Sequence, residues 1–299
     1  MNPQIKAVET IRTCPDRNYL IVKITTTDGL VGYGDATLNG RELAVKATID
    51  EYLSVLLHGL NAGRIADIWQ MTFRYTYWRG GPVLQTALAG VDMALWDLLG
   101  KRTGLPLCQL LGGKTRDRIK AYYHVHGDTA EALVERARAA VKAGARVLRY
   151  SFSTKEPFHP ESGRRYFQPH QDIELNDRFE LGARDAEAAV GPKQGGRHAE
   201  ADPRWETEPY LEELPRVTAE LRKAVGPHIG LIHDVHSRCT PVQAARAAKE
   251  LEPYHLLFLE DPVEPLNRAA LELVRAASTT PLATGELFNT MDQLLPLLE

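Results

Sequence analysis

A chain of 299 residues with 43% hydrophobic and 25% charged residues has the composition of an ordinary globular protein, long enough for two domains or for one barrel with an appendage. A formal net charge of −3 leaves no basic excess to draw nucleic acid or an anionic membrane. Cys14, Cys108 and Cys239 are odd in number and widely separated, which suits free thiols in a reducing compartment better than a disulfide framework or a zinc site.

The N-terminal MNPQIKAVET lacks a signal-peptide pattern, and no uninterrupted apolar run is long enough to span a bilayer, so a cytoplasmic protein without a membrane partner is expected. Residues 4–36 alternate as strands do, with IKAVETIRT, YLIVKITTT and LVGYGDAT separated by CPDRN and DGL, and Asp28-Gly29 is a turn signal. Helices are predicted over 41–58, 63–78 and 83–101. The last keeps Leu84, Ala87, Leu88, Val91, Ala94, Leu95 and Leu98 on one face. A meander followed by helices makes residues 1–115 an α+β domain.

After Gly112-Gly113 the pattern changes to alternating strands and helices over residues 116–299. Strands are expected to end near 119–125, 146–151, 229–234, 256–260 and 281–286, with a helix over 129–143. Five units in that rhythm fit an open doubly wound sheet or the front of a (β/α)8 barrel. The stretch at about 152–207, rich in Glu, Arg, Gly, Pro and His, interrupts the rhythm. Its Phe152, Phe158, Tyr166, Phe167 and Trp205 favour a lid over a disordered insertion.

The chemistry concentrates in the last third. Asp234 closes HIGLIHD, Glu260 closes HLLFLE and Glu286 closes PLATGE, an interval of 26 residues each time. TPVQAARAAKELEPY and EPLNRAALELVRAAS lie between them with helical spacing and a Thr, Pro or Asn near the start. Strands joined in this way run parallel and end on one face, so the three carboxylates converge on one rim. One alternative is that each acid caps the following helix or favours its dipole. Their identical phase favours a divalent metal site for Mg²⁺ or Mn²⁺, since three like charges need a cation and offer it hard oxygen ligands.

TYWRGGPVLQTALAGVDMALWDLLGKRTGLPLCQLLGG at 76–113, HDVHSRCTP at 233–241, LEPYHLLFLEDP at 251–262 and TTPLATGELFNT at 279–290 carry a family resemblance. The chain resembles the enolase superfamily and, within it, the D-mannonate dehydratase subgroup, which includes proteins called starvation-sensing. The resemblance covers the chain outside the insertion. It implies an α/β architecture in which an α+β capping domain precedes a (β/α)7β-type barrel, here truncated after about five strands. It also implies Mg²⁺ on Asp234, Glu260 and Glu286, a sugar-acid substrate, and dehydration to a 2-keto-3-deoxy acid by removal of the α-proton and loss of the β-hydroxyl. Arg149 falls where the subgroup has an arginine supporting a tyrosine base, and His236 falls on the catalytic histidine, two residues beyond Asp234 on an extended segment. Asn39 and His124 match substrate-lining positions, His126 and His233 have no such match and are read as structural, and Trp78 and Arg79 are read as packing of the cap.

Two departures follow from the same resemblance. The spacing to the tyrosine base is lost in RYSFSTKEPFHPESGRRYF, and Tyr150 would point away from Arg149, so Tyr166 is taken as the base. The late barrel strands expected of the family are missing. The chain as given is therefore expected to be poorly active or inactive, with an exposed strand edge, and its complete form to be a homo-oligomeric enzyme. The alternative function is a sugar-acid-binding or regulatory homologue without turnover.

Overall fold

The computed structural model describes residues 3–14, 18–75, 77–127, 129–152, 154–155, 165–166 and 207–298, with 154–155 and 165–166 described by backbone alone. The expected lid therefore lies largely outside the described residues. The chain divides into two compact units, one reaching Arg118 and the other starting at Ile119, against a boundary of 115 expected from sequence.

In the first unit β1 (Ile5–Thr13), β2 (Tyr19–Thr26) and β3 (Val31–Asp35) form the antiparallel meander in chain order. Alternation along β2 sends Leu20, Val22, Ile24 and Thr26 into the core, as period-two geometry requires. They meet α4 (Pro82–Thr103), which buries Ala87, Leu88, Val91, Ala94, Leu95 and Leu98. Gly32 and Gly34 let β3 lie against this helix, because a Cβ on either would overlap the main-chain oxygen of Ala94 or Gly90. By length and composition α4 could cross a membrane, but its apolar residues serve this core.

The helix expected over 41–58 forms in three pieces, α1 (Glu42–Ala47), a π-helical turn at Thr48–Leu53 and α2 (Ser54–Leu57). That expected over 63–78 is shorter, α3 (Ile65–Arg74), and α5 (Leu107–Leu110) closes the unit. Trp78 is largely exposed, with its ring edge-on to Tyr77, so the packing role expected for it is not what its unit provides.

Among the described residues the second unit is built on five parallel strands: β4 (Tyr123–Gly127), β5 (Val147–Phe152), β8 (Gly230–Asp234), β9 (Phe258–Glu260) and β10 (Leu282–Ala283). Two-residue strands β6 (Thr154–Lys155) and β7 (Arg165–Tyr166) pair with each other instead. The sheet order is β10-β9-β8-β5-β4, so strands successive in the sheet are neighbours and the order never reverses. A doubly wound sheet reverses at its switch point, whereas a barrel does not. The barrel-type alternative therefore holds.

The connecting helices are α6 (Ala130–Lys142), α7 (Thr207–Val225), α8 (Pro241–Glu250) and α9 (Arg268–Ala277), with α10 (Met291–Leu294) after β10. Leu133, Ala137, Leu214, Leu221, Ala244, Ala248, Leu271 and Val274 from these helices join Leu148, Leu231 and Leu259 from the strands in one apolar core. The sequence reading assigned no helix to 207–225, where Pro215 and a run of acids mask a buried face of Leu211, Leu214, Val217, Thr218 and Leu221. The first strand also begins later than expected, since hydrogen-bonded partners on β5 start only at Tyr123.

His233 is a core residue. Its Nδ1 lies 3.1 Å from the Tyr150 carbonyl, which can only accept, so Nδ1 carries the proton and Nε2 accepts from the Tyr210 hydroxyl at 2.6 Å. Burial, reinforced by Arg149 and opposed by the Tyr150 carbonyl, lowers its pKa from 6.5 to about 4. A depressed histidine pKa means that the stability tied to the neutral ring is complete above 6.5 and is lost as pH falls toward 4. Replacing Tyr210 by Phe strips Nε2 of its donor at neutral pH and is expected to cost about 1–3 kcal/mol, read as a lower urea midpoint. An unchanged midpoint would rule out the bond as a contributor.

Candidate active site

Strand register sets the site. In a parallel sheet directly paired residues share a face, so His124, Arg149, Ile232 and Phe258 form one row, and Asp234, Glu260 and Ala283 the row nearer the strand ends. Tyr150 faces the opposite way, as expected, and is buried with its hydroxyl 2.5 Å from Thr218 Oγ1.

Asp234 and Glu260 are the last residues of β8 and β9. Glu286 departs from the expected pattern. β10 ends at Ala283, and Gly285 at φ 141° turns the chain, so Glu286 is carried by the turn and not by a strand. The three acids still converge: one carboxylate oxygen from each lies within 4.8 Å of the others. They do not cap the following helices, because Thr240 with Gln243, Asn267, and Thr290 with Gln293 hold those positions. Three close carboxylates on one rim, all hard oxygen donors, fit a divalent cation.

Arg149 enters the same cluster. Its Nη2 is ion-paired with Asp234 Oδ2 and its Nε lies 3.1 Å from Glu260 Oε2, with side-chain exposures of 12% for Arg149 and 2% for Asp234. Nη1 also approaches His124 Nδ1 at 3.5 Å. Burial, with Arg149 adding, lowers the pKa of His124 below its ordinary value, which favours the neutral ring.

His236 is brought to the site by a turn, not by the extended segment expected. β8 stops at Asp234, whose Oδ1 accepts from the His236 N–H at 2.8 Å, and His236 and Ser237 follow at φ 55° and 57°. The ring returns so that Nε2 lies 3.0 Å from Asp234 Oδ2.

Asn39 is exposed in the turn after β3, in the first unit. Tyr166 is paired with Thr154 through its backbone, and its side chain lies outside the described residues. The sequence reading missed Asp261, which is 3% exposed and follows Glu260 at φ 38°. Its place beside Glu260 in LEDP was the available signal.

Residues 2–112 match the N-terminal domain of mandelate racemase and muconate lactonizing enzyme, and residues 184–299 match an enolase C-terminal domain-like family. The chain is 41% identical to a D-galactonate dehydratase family member, ManD, of Chromohalobacter salexigens, covering 99% of this chain and 68% of that protein. It is likewise 41% identical to a D-mannonate dehydratase of Caulobacter sp., over 97% of this chain and 66% of that one. The chain thus spans about two thirds of the length of these relatives. Among solved structures it is similar to an enolase from Pantoea ananatis with bound D-gluconate and Mg, with a TM-score of 0.80 and 38% identity over 99% of this chain and 69% of that one. With both of its domains matched and relatives of this identity over nearly all its length, the chain belongs to the enolase superfamily, alongside the D-galactonate and D-mannonate dehydratase family members.

Proposed function

We propose that this chain carries the active site of a Mg²⁺-dependent sugar-acid dehydratase, a hydro-lyase converting D-mannonate or a related aldonate such as D-gluconate into a 2-keto-3-deoxy sugar acid. The convergence of Asp234, Glu260 and Glu286 on the rim carries this reading. These three residues would hold the ion, which when bound would supply the positive charge that makes the C–H beside a substrate carboxylate more acidic.

The protein groups divide the proton work. Tyr166 is our candidate for the base that takes the α-proton, and Arg149 for the arginine that supports it, as the family resemblance implies. His236 gives a proton to the β-hydroxyl as that group leaves as water. The enol left behind tautomerises to the ketone. His124, held neutral, accepts a hydrogen bond from a substrate hydroxyl, and Asn39 is a further substrate-binding candidate on the family resemblance alone.

Incubating the chain with D-mannonate or D-gluconate and Mg²⁺, and trapping 2-keto acid as its semicarbazone, is expected to give slow product formation that EDTA abolishes. Because the chain spans about two thirds of its relatives' length, turnover by this chain itself is under test. Aldonate binding by calorimetry without product would overturn the dehydratase reading in favour of a sugar-acid-binding homologue.

A further inference from the structure

Glu286 is the least constrained of the three carboxylates. Asp234 and Glu260 end hydrogen-bonded strands, whereas Glu286 is exposed and sits past the end of β10 on a turn through Gly285. A ligand so placed needs something to hold its turn, and Asp261 stands where the three strand ends meet. Its N–H donates to the Ala283 carbonyl at 2.9 Å, and its own carbonyl accepts from the Ser237 N–H at 2.7 Å. Its main chain therefore links the ends of all three strands.

The side chain adds a second observation. Asp261 is 3% exposed, and its Oδ1 is buried with no hydrogen-bond partner among the described residues. Thr284 Oγ1, in the turn leading to Glu286, is likewise buried without a partner. Because the Asp261 N–H is bonded to the Ala283 carbonyl, Thr284 and Gly285 follow directly alongside Asp261. A buried carboxylate oxygen left unmatched costs free energy, and a buried hydroxyl beside it costs more. Drawing the Thr284–Glu286 turn onto Asp261 satisfies both.

Resting on the metal-site reading above, we infer that Asp261 is a positioning residue: it clamps the turn of residues 284–286 and thereby fixes Glu286 in the carboxylate triad. Asp261 acts through Glu286 and is not itself a ligand. At φ 38° glycine fits without strain, so Asp261→Gly removes the clamp and keeps the backbone. Asp261→Asn tolerates the same backbone and keeps an acceptor oxygen for Thr284 and Gly285.

The test is Mg²⁺ affinity by calorimetry on the wild-type chain, the two Asp261 variants, Glu286→Gln and the double variant Asp261→Gly/Glu286→Gln. Asp261→Gly is expected to weaken binding by about 10–100-fold, the range for groups that support a ligand. Asp261→Asn should recover most of the loss, and Asp261→Gly should weaken binding no further once Glu286 is already Gln. A purely structural role predicts neither the recovery nor the masking. Wild-type affinity in Asp261→Gly, or losses that add in full, would overturn the inference. Should Asp261→Gly fail to fold by circular dichroism, Thr284→Val, which removes only the facing hydroxyl, is expected to weaken binding in the same direction, and unchanged affinity there overturns it. A folded wild-type chain that binds no Mg²⁺ overturns the metal-site reading and this inference with it.

Discussion

Replacing Glu260 by Gln is expected to abolish Mg²⁺ binding measured by calorimetry on the folded chain. The substitution keeps the shape of the side chain and removes one negative charge from a cluster whose oxygens lie within 4.8 Å of one another. Two unit charges about 4 Å apart interact by about 4 kcal/mol at an effective dielectric near 20, and the effect on a divalent ion is larger. At about 1.4 kcal/mol per tenfold, the affinity should fall by at least about a hundredfold. The metal-free variant should melt close to wild type. It weakens the Arg149 Nε contact at 3.1 Å to one with a neutral amide oxygen, but it also relieves repulsion with Asp234, paired directly across the strands. Mg²⁺ should then raise the melting temperature of the wild type and not of the variant. Retained binding in the variant would show that the ion does not use Glu260. No binding by the folded wild type would show that these residues form no cation site, leaving the proposed function on family membership alone.

What the sequence made legible was periodic. The 26-residue interval correctly placed Asp234 and Glu260 at strand ends, because a repeated strand-loop-helix unit returns each strand end to the same face. The same interval missed how Glu286 is held, since one glycine turn past Ala283 changes the element without changing the spacing. His236 was assigned to the right neighbourhood by the wrong geometry: strand alternation was assumed, and a left-handed backbone with an Asp234 hydrogen bond does the work. The partners of Arg149 could not be read from local pattern. They lie 85 and 111 residues along the chain, and only the parallel register brings them beside it. Helix α7 was hidden because Pro215 and its acids mask an apolar face that only packing reveals.

The contacts of Arg149 yield the second large effect, and it runs opposite to every ligand substitution. Asp234 and Glu260 are negative and close, and the guanidinium paired with both neutralises charge that a divalent ion would also neutralise. A guanidinium bonded to a carboxylate oxygen occupies lone pairs that a metal ion needs, so the two cations compete for Asp234. Arg149→Met keeps length and apolar bulk without the charge. It is expected to bind Mg²⁺ at least about tenfold more tightly than wild type, since even one charge-charge repulsion at an effective dielectric near 20 exceeds about 1.4 kcal/mol. In EDTA the same variant leaves Asp234, 2% exposed at its side chain, without its ion-pair partner, and it should lose about 3–5 kcal/mol of stability. Added Mg²⁺ should restore that loss, so the rise in melting temperature on adding metal is larger in the variant than in wild type. Product formation should nonetheless fall, because the group proposed to support the tyrosine base is gone. Weaker or unchanged Mg²⁺ binding in Arg149→Met would show that the guanidinium and the ion do not contend for the same oxygens, and that Arg149 serves the site only through its neighbours.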